Sequence, residues 1–293
     1  MANSNGWGDG AANNAIGWGS THATSWAGLT DISGAPTTDA DAQAFITAAA
    51  ITDPTQQAAI NTLVVDLKGY NVWSKMKALY PFCGSTASQH KFNLKDPRDL
   101  DAAFRLVFSG GWTHSVNGAL PNGTNAYAST KLIASNSLTL NSTHISFYSR
   151  TSTITNGVRD MGAFLNSGVP CISLGTNTGV FISDHYNFSF RISSSIASAT
   201  GFYLGTRTTN TSHKLYKNGS ILSNNTFLSL DVLPTLSLFL GAANIAGTGG
   251  ELASSYSNKE YAFSSIGDGL TDTEAANFYT AVQAFQTSLF RNI

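Results

Sequence analysis

The chain reads as mainly β: an antiparallel two-sheet jelly-roll sandwich with an extended N-terminal arm, a short helical segment and a C-terminal helix. Three observations predict this. From about residue 92 onward, β-prone runs of alternating polarity recur every 10–20 residues or so, with Gly, Asn, Ser and Thr between them. Lys217-Asn218-Gly219-Ser220 is a two-residue hairpin signal, because Asn and Gly tolerate the positive φ that such turns demand. Helical periodicity is confined to about 39–68 and to the C-terminal end.

Residues 1–38 form a low-complexity arm. It carries Gly6-Trp7-Gly8 and Gly17-Trp18-Gly19, with Ile16 before the second and Trp26 beyond it, and it ends in the breaker Ser33-Gly34-Ala35-Pro36. So little apolar surface cannot make a core of its own. The expectation is a tether whose residues Trp7, Gly8, Ile16, Trp18, Gly19 and Trp26 dock on a partner. Each buried indole would contribute about 2–3 kcal/mol, and the flanking glycines let the backbone approach closely.

Residues 39–91 are expected to be a helical collar with a connecting strand. Asp39 opens one helix; Asp53 as N-cap and Pro54 at the first helical position open a second, with Ala59, Ile60, Leu63, Val64 and Leu67 on one face and Gly69 ending it. Residues 72–80 alternate and predict a strand. The sandwich then runs over 92–293, with strand signals at 92–94, 104–108, 144–149, 161–165, 171–174, 188–192, 201–205, 213–217 and 236–240. Thr271 and Glu274 form a capping box for a terminal helix over 272–290, with Ala275, Phe278, Val282, Phe285 and Leu289 on one face.

Composition narrows the function. Apolar residues make up 42% of the 293, enough for a core, but charged residues only 11%, against about 25% in ordinary globular domains. The net charge of −1 gives no electrostatic footprint for nucleic acid. No apolar stretch reaches membrane-spanning length, and the start lacks the basic and apolar regions of a signal peptide, so no membrane insertion and no classical export signal are expected. Asn-X-Ser/Thr triplets at Asn122, Asn141, Asn187, Asn210, Asn218 and Asn224 then read as by-products of composition. Cys83 and Cys171 are either a pair or two separate buried thiols.

Three segments carry a family resemblance: 118–128, leading into a display turn; Leu215-Tyr216-Lys217-Asn218-Gly219; and 261–274, a closing strand and helix start. In this order they resemble the concanavalin A-like lectin/glucanase superfamily, its laminin-G-like branch in particular. The arm resembles the Trp-Gly-repeat starts of structural proteins from tailed bacteriophages, including those infecting Bacteroidetes. Together the resemblances imply a virion protein: a capsid decoration, head-fibre or tail-associated component. Its implied partners are other virion proteins (capsid, portal or tail), further copies of itself in a homo-oligomer, and a host surface glycan.

A glucanase of that superfamily needs two glutamates in a Glu-X-Asp-X-X-Glu strand, where alternate residues face one cleft; Glu251, Glu260 and Glu274 have no such spacing. Asp96, Asp99 and Asp101 form the densest acidic group and read as a turn and helix start neutralised by Arg98 rather than a cation loop. Asp184-His185-Tyr186 reads as satisfied surface or core groups. No Gly-X-Ser-X-Gly elbow, His-X-X-X-His pair or phosphate loop occurs. No cofactor, metal or catalytic residue is therefore expected. A sugar site would need an aromatic face and amide side chains, which Trp112, Asn122, Asn125 and Tyr127 supply in one loop-rich segment. The leading expectation is a non-enzymatic virion structural protein that docks by its arm. A glycan-binding adhesin is the alternative, and a polysaccharide-degrading enzyme a weaker one.

Overall fold

The computed structural model describes residues 38–165, 168–229, 232–247 and 250–293. The proposed docking residues Trp7, Gly8, Ile16, Trp18, Gly19 and Trp26 lie outside the described residues.

Helices α1 (Ala40–Ala48) and α2 (Pro54–Gly69) begin where the capping signals place them. The Asp53 carboxylate accepts from the backbone N–H groups of Thr55 and Gln56 at 2.7 and 3.0 Å, satisfying donors that the first turn leaves open. Lys68, at the end of α2, pairs with Asp39 and Asp41 at the start of α1.

The strands follow in chain order. β1 (Met76–Tyr80), β2 (Val107–Ser109), β3 (Trp112–Ser115), β4 (Gly118–Pro121), β5 (Tyr127–Ile133) and β6 (Thr143–Ser149) come first. Next are β7 (Val158–Phe164), β8 (Cys171–Asn177), β9 (Val180–Tyr186), β10 (Ile192–Ser195), β11 (Gly201–Thr209) and β12 (Ser212–Lys217). β13 (Ser220–Asn225), β14 (Ser237–Leu240), β15 (Ala243–Gly247), β16 (Gly250–Ser254) and β17 (Tyr261–Gly267) precede the final helix α3 (Asp272–Ser288).

Among the described residues these make two sheets. The first runs β13-β12-β11-β6-β17-β4-β3, with β1 also pairing β17; the second runs β10-β9-β8-β7-β14-β5-β2, with the β15–β16 hairpin attached to β7. Pairing is antiparallel except where β15 meets β7. Asn218 and Gly219 take positive φ at the predicted hairpin between β12 and β13.

Strand alternation then builds two cores from the first sheet. Ala78, Tyr80, Ile145, Phe147, Tyr203 and Tyr261 face the second sheet, where they meet Met161, Leu174, Phe181 and Leu238. Met76, Leu79, Tyr148, Phe202, Leu204 and Phe263 face the opposite way, against Phe45, Leu63 and Leu67 of α1 and α2 and Phe278, Val282 and Phe285 of α3. The molecule is thus three-layered over Asp39–Ile293, and the segment expected to be a separate collar belongs to this body. The reason is that the apolar faces of α1 and α2 find their partner in the outer face of the chain's own sheet, while β1 hydrogen-bonds to β17.

Other local expectations are corrected. Trp73–Lys75 is a 3-10 turn, so the first strand starts only at Met76. Residues 92–94 contribute one isolated bridge, and Phe104 sits in the left-handed region, delaying the next strand to Val107. Phe188–Phe190 is a 3-10 turn because the Asn187 side chain accepts from the Ser189 N–H, and β10 begins after it. No disulfide joins Cys83 and Cys171; both thiols are buried, and burial pushes that of Cys83 up to about 12.

Candidate functional site

The four glycan-contact candidates converge on one loop system, 108–127, built by the β3–β4 hairpin and the turn into β5. The Asn122 side-chain oxygen accepts from the backbone N–H groups of Thr124, Asn125 and Ala126 at 3.0, 3.1 and 3.2 Å. Its Nδ2 donates to Asn125 Oδ1 at 2.8 Å, and that same oxygen accepts from the Gly111 N–H at 3.1 Å. Two side chains thereby satisfy the backbone of a turn with no ladder of its own. Gly110 is required here: at φ +75° a Cβ would lie 2.1 Å from the Asn125 carbonyl oxygen.

Trp112 is half-buried, and its indole N–H is shared between the carbonyls of Ser109 and Tyr127, both at 3.1 Å. Its ring meets Phe108 edge-on at 5.3 Å and lies near His114 and Tyr261. Tyr127 turns its ring onto Phe239 in a stack at 4.6 Å. The candidates are therefore held in place before any ligand arrives. Asn122 and Asn125 are exposed, and the Asn125 amide nitrogen has no protein acceptor among the described residues.

Beside this loop runs an open groove of 340 Å³, which the sequence reading missed, lined by Ala87, Ser88, Lys91, Arg105, Leu106, Val107 and Phe108. Phe108 belongs both to the groove and to the ring cluster around Trp112. Lys91 and Arg105 are steadied by Asp99, at 2.5 and 2.9 Å, and Arg105 also by Asp101 at 2.8 Å. The groove pairs an apolar, aromatic floor with charged and hydroxyl groups at its rim, the mixture that recognises polar ligands having an apolar face. Its walls come from two short segments, 87–91 and 105–108, that meet only through the turns between them, so only alternation at 104–108 hinted at it.

Behind the groove, His90 Nδ1 and His114 Nδ1 lie 3.0 Å apart. Burial, with a smaller contribution from His114, pushes His90 down to about 3; burial also lowers His114. Both rings are neutral at neutral pH, so one Nδ1–H donates to the other ring.

The remaining sequence candidates have structural partners. Asp96 binds Arg98 in a two-pronged pair, and Asp99 and Asp101 are taken by Lys91 and Arg105. Alternation sends the neighbours Asp184 and His185 to opposite sides of β9. Asp184 meets Arg191 at 2.6 Å, and His185 points between the sheets toward His213. Glu251 lies near Lys131, Glu260 binds Arg150, and Glu274 completes its capping box while pairing with Lys75.

No protein-family model and no curated protein matches this chain. Among solved structures it is similar to the binding domain of botulinum neurotoxin serotype D, at 9% identity and TM-score 0.48, covering 71% of this chain and 52% of that one. A botulinum neurotoxin type C structure, from work describing cell entry dependent on two ganglioside molecules, is similar at 10% identity and TM-score 0.46, over 73% of this chain and 52% of that one. Domain 4 of an extracellular arabinanase from Geobacillus stearothermophilus, in complex with arabinotriose, is similar at 15% identity and TM-score 0.42, over 70% and 98% of the two chains. The chain spans about half the length of the neurotoxin structures it matches.

Proposed function

We propose that the protein is a non-enzymatic structural component of a tailed-phage particle, attached by its arm (1–38) and displaying the sandwich as a lectin-like module. The loop with Trp112, Asn122 and Asn125, together with the adjoining groove, takes a host surface glycan. The observation that carries the binding half is the pre-ordered loop: its aromatic and amide groups are fixed by internal hydrogen bonds yet remain accessible. A site ordered in advance loses less entropy on binding. The particle half is supported by the composition and Trp-Gly spacing of the arm.

Two experiments separate the halves. Deleting residues 1–30 is expected to abolish incorporation of the chain into particles; unchanged incorporation would remove the anchor. A glycan array with the full chain is expected to show binding that Ser88→Trp, which fills the groove from an exposed position, reduces at least tenfold. A full chain that binds no surface polysaccharide sinks the binding half. Release of reducing sugar on incubation would replace it with an enzymatic function.

A further inference from the structure

Asp160 and Lys259 form an ion pair in which neither side chain reaches solvent, with Nζ 2.9 Å from Oδ1. Asp160 lies on β7 in the middle of the second sheet, and Lys259 lies two residues before β17 of the first, so the pair bridges the two sheets. Ser257 Oγ donates to the same carboxylate oxygen at 2.6 Å, Thr176 Oγ1 lies 3.2 Å from Nζ, and the Tyr261 hydroxyl donates to the Asp160 carbonyl. The second carboxylate oxygen, Oδ2, is buried with no hydrogen-bond partner among the described residues.

As an ion pair this arrangement is poorly balanced. Mutual attraction offsets the desolvation of two ions only when the remaining lone pairs are also satisfied, and those of Oδ2 are not. An amide between the same groups carries no charge, keeps Oδ1 as an acceptor for Ser257, and expels the unpartnered oxygen.

We propose that Lys259 and Asp160 condense into an intramolecular isopeptide bond. A proton passes from the ammonium to the carboxylate, which frees the Nζ lone pair. The Nζ lone pair attacks Cγ, within reach because the two groups already share a hydrogen bond. The Ser257 hydroxyl stabilises the negative charge that builds on Oδ1. The Nζ–Cγ bond forms and the Cγ–Oδ2 bond breaks. Oδ2 leaves as water, carrying the transferred proton and a second one from Nζ. One N–H remains on the amide. Nothing is oxidised or reduced, and no co-reactant is consumed. The product ties the two sheets covalently across 99 positions of sequence.

The test is the intact mass of the purified full chain under denaturing conditions, followed by peptide mapping. The expected mass is lighter than the sequence mass by one water, and mapping yields a branched peptide joining the segments around Asp160 and Lys259. An unshifted mass overturns the proposal, and so does a lost water that maps to a linear peptide, such as a cyclised Asp268-Gly269. Asp160→Ala and Lys259→Arg are each expected to restore the full mass, and a variant still one water lighter also overturns it. The wild-type measurement decides the matter even where a variant fails to fold, and glycan binding has no bearing on it.

Discussion

His185 and His213 lie side by side between the two sheets, ring centroids 4.6 Å apart, with the Ser183 hydroxyl 3.0 Å from His213 Nε2 and 3.4 Å from His185 Nδ1. Burial, aided by the neighbouring charges, holds His185 well below its ordinary value and pushes His213 down to about 3. Burial likewise lowers His90 to about 3 and His144 to about 4. The folded state keeps all four neutral, while the unfolded chain takes up protons below about pH 6.5. Stability from these groups is therefore complete above that pH and is lost as pH falls toward their folded values, by up to about 1.4 kcal/mol per pH unit for each. Urea unfolding at pH 7.5 and pH 5.0 should show a fall of several kcal/mol, and His213→Gln should flatten the slope by about one proton. A midpoint unchanged between these pH values refutes the assignment.

Arg291 is expected to be the residue near the C-terminus whose loss is most damaging. Its buried guanidinium donates to the carbonyls of Pro81, Phe82 and Ala262 and to Gln286 Oε1. Arg291→Met leaves the Phe82 carbonyl and Gln286 Oε1 buried without a donor and should cost about 3–5 kcal/mol in denaturant melts. The preceding Phe290 is 87% exposed at φ +55°, so Phe290→Gly should be neutral or stabilise by about 0.5–1 kcal/mol. Equal costs at the two positions would contradict this division.

Asn122 and Asn125 should part company on mutation. Asn122→Ala removes the acceptor for three backbone N–H groups and should cost about 1–2 kcal/mol while loosening the loop. Asn125→Ala removes an exposed amide and should cost less stability than Asn122→Ala, yet weaken glycan binding by roughly tenfold. Thermal melts alongside glycan titrations distinguish the two effects.

The fragment 92–293 should not behave as a soluble domain. Removing 39–91 strips Phe45, Leu63 and Leu67 from the core they share with Phe278, Val282 and Phe285 of α3, exposing that apolar face, and deletes β1 from beside β17. A face of that size exposed to water promotes association. Light scattering should show aggregation of 92–293 where 39–293 stays monodisperse; a monomeric 92–293 fragment would speak against the three-layer packing as the source of stability.

Much of the architecture was legible in the residues because its causes are local. Asp53-Pro54 and the Thr271–Glu274 box start helices by satisfying backbone donors within one turn. Asn218-Gly219 closes a hairpin because those two residues accept positive φ. The strands at 72–80 and 188–192 were misplaced where a side chain or a turn displaced the alternating pattern: Asn187 captures a backbone N–H, and Trp73–Lys75 turns before the strand starts.

The candidate site was legible only in part. Trp112, Asn122, Asn125 and Tyr127 do meet in one loop, since they lie close in sequence. That Asn122 orders the turn and that Tyr127 stacks on Phe239 depends on which strands become neighbours. The groove beside them joins residue 87 to residue 108, and the buried Asp160–Lys259 pair joins two different sheets.

The sequence by itself determined the fold class, the helix starts and the hairpin, because capping, turn chemistry and strand period act within a few residues. Only the tertiary structure decided that 39–91 belongs to the same body as the sandwich, that Asp184 and His185 face opposite ways into different surroundings, and that Asp160 meets Lys259. Those outcomes depend on which apolar faces cover one another, and burial of that kind is a property of the packed whole.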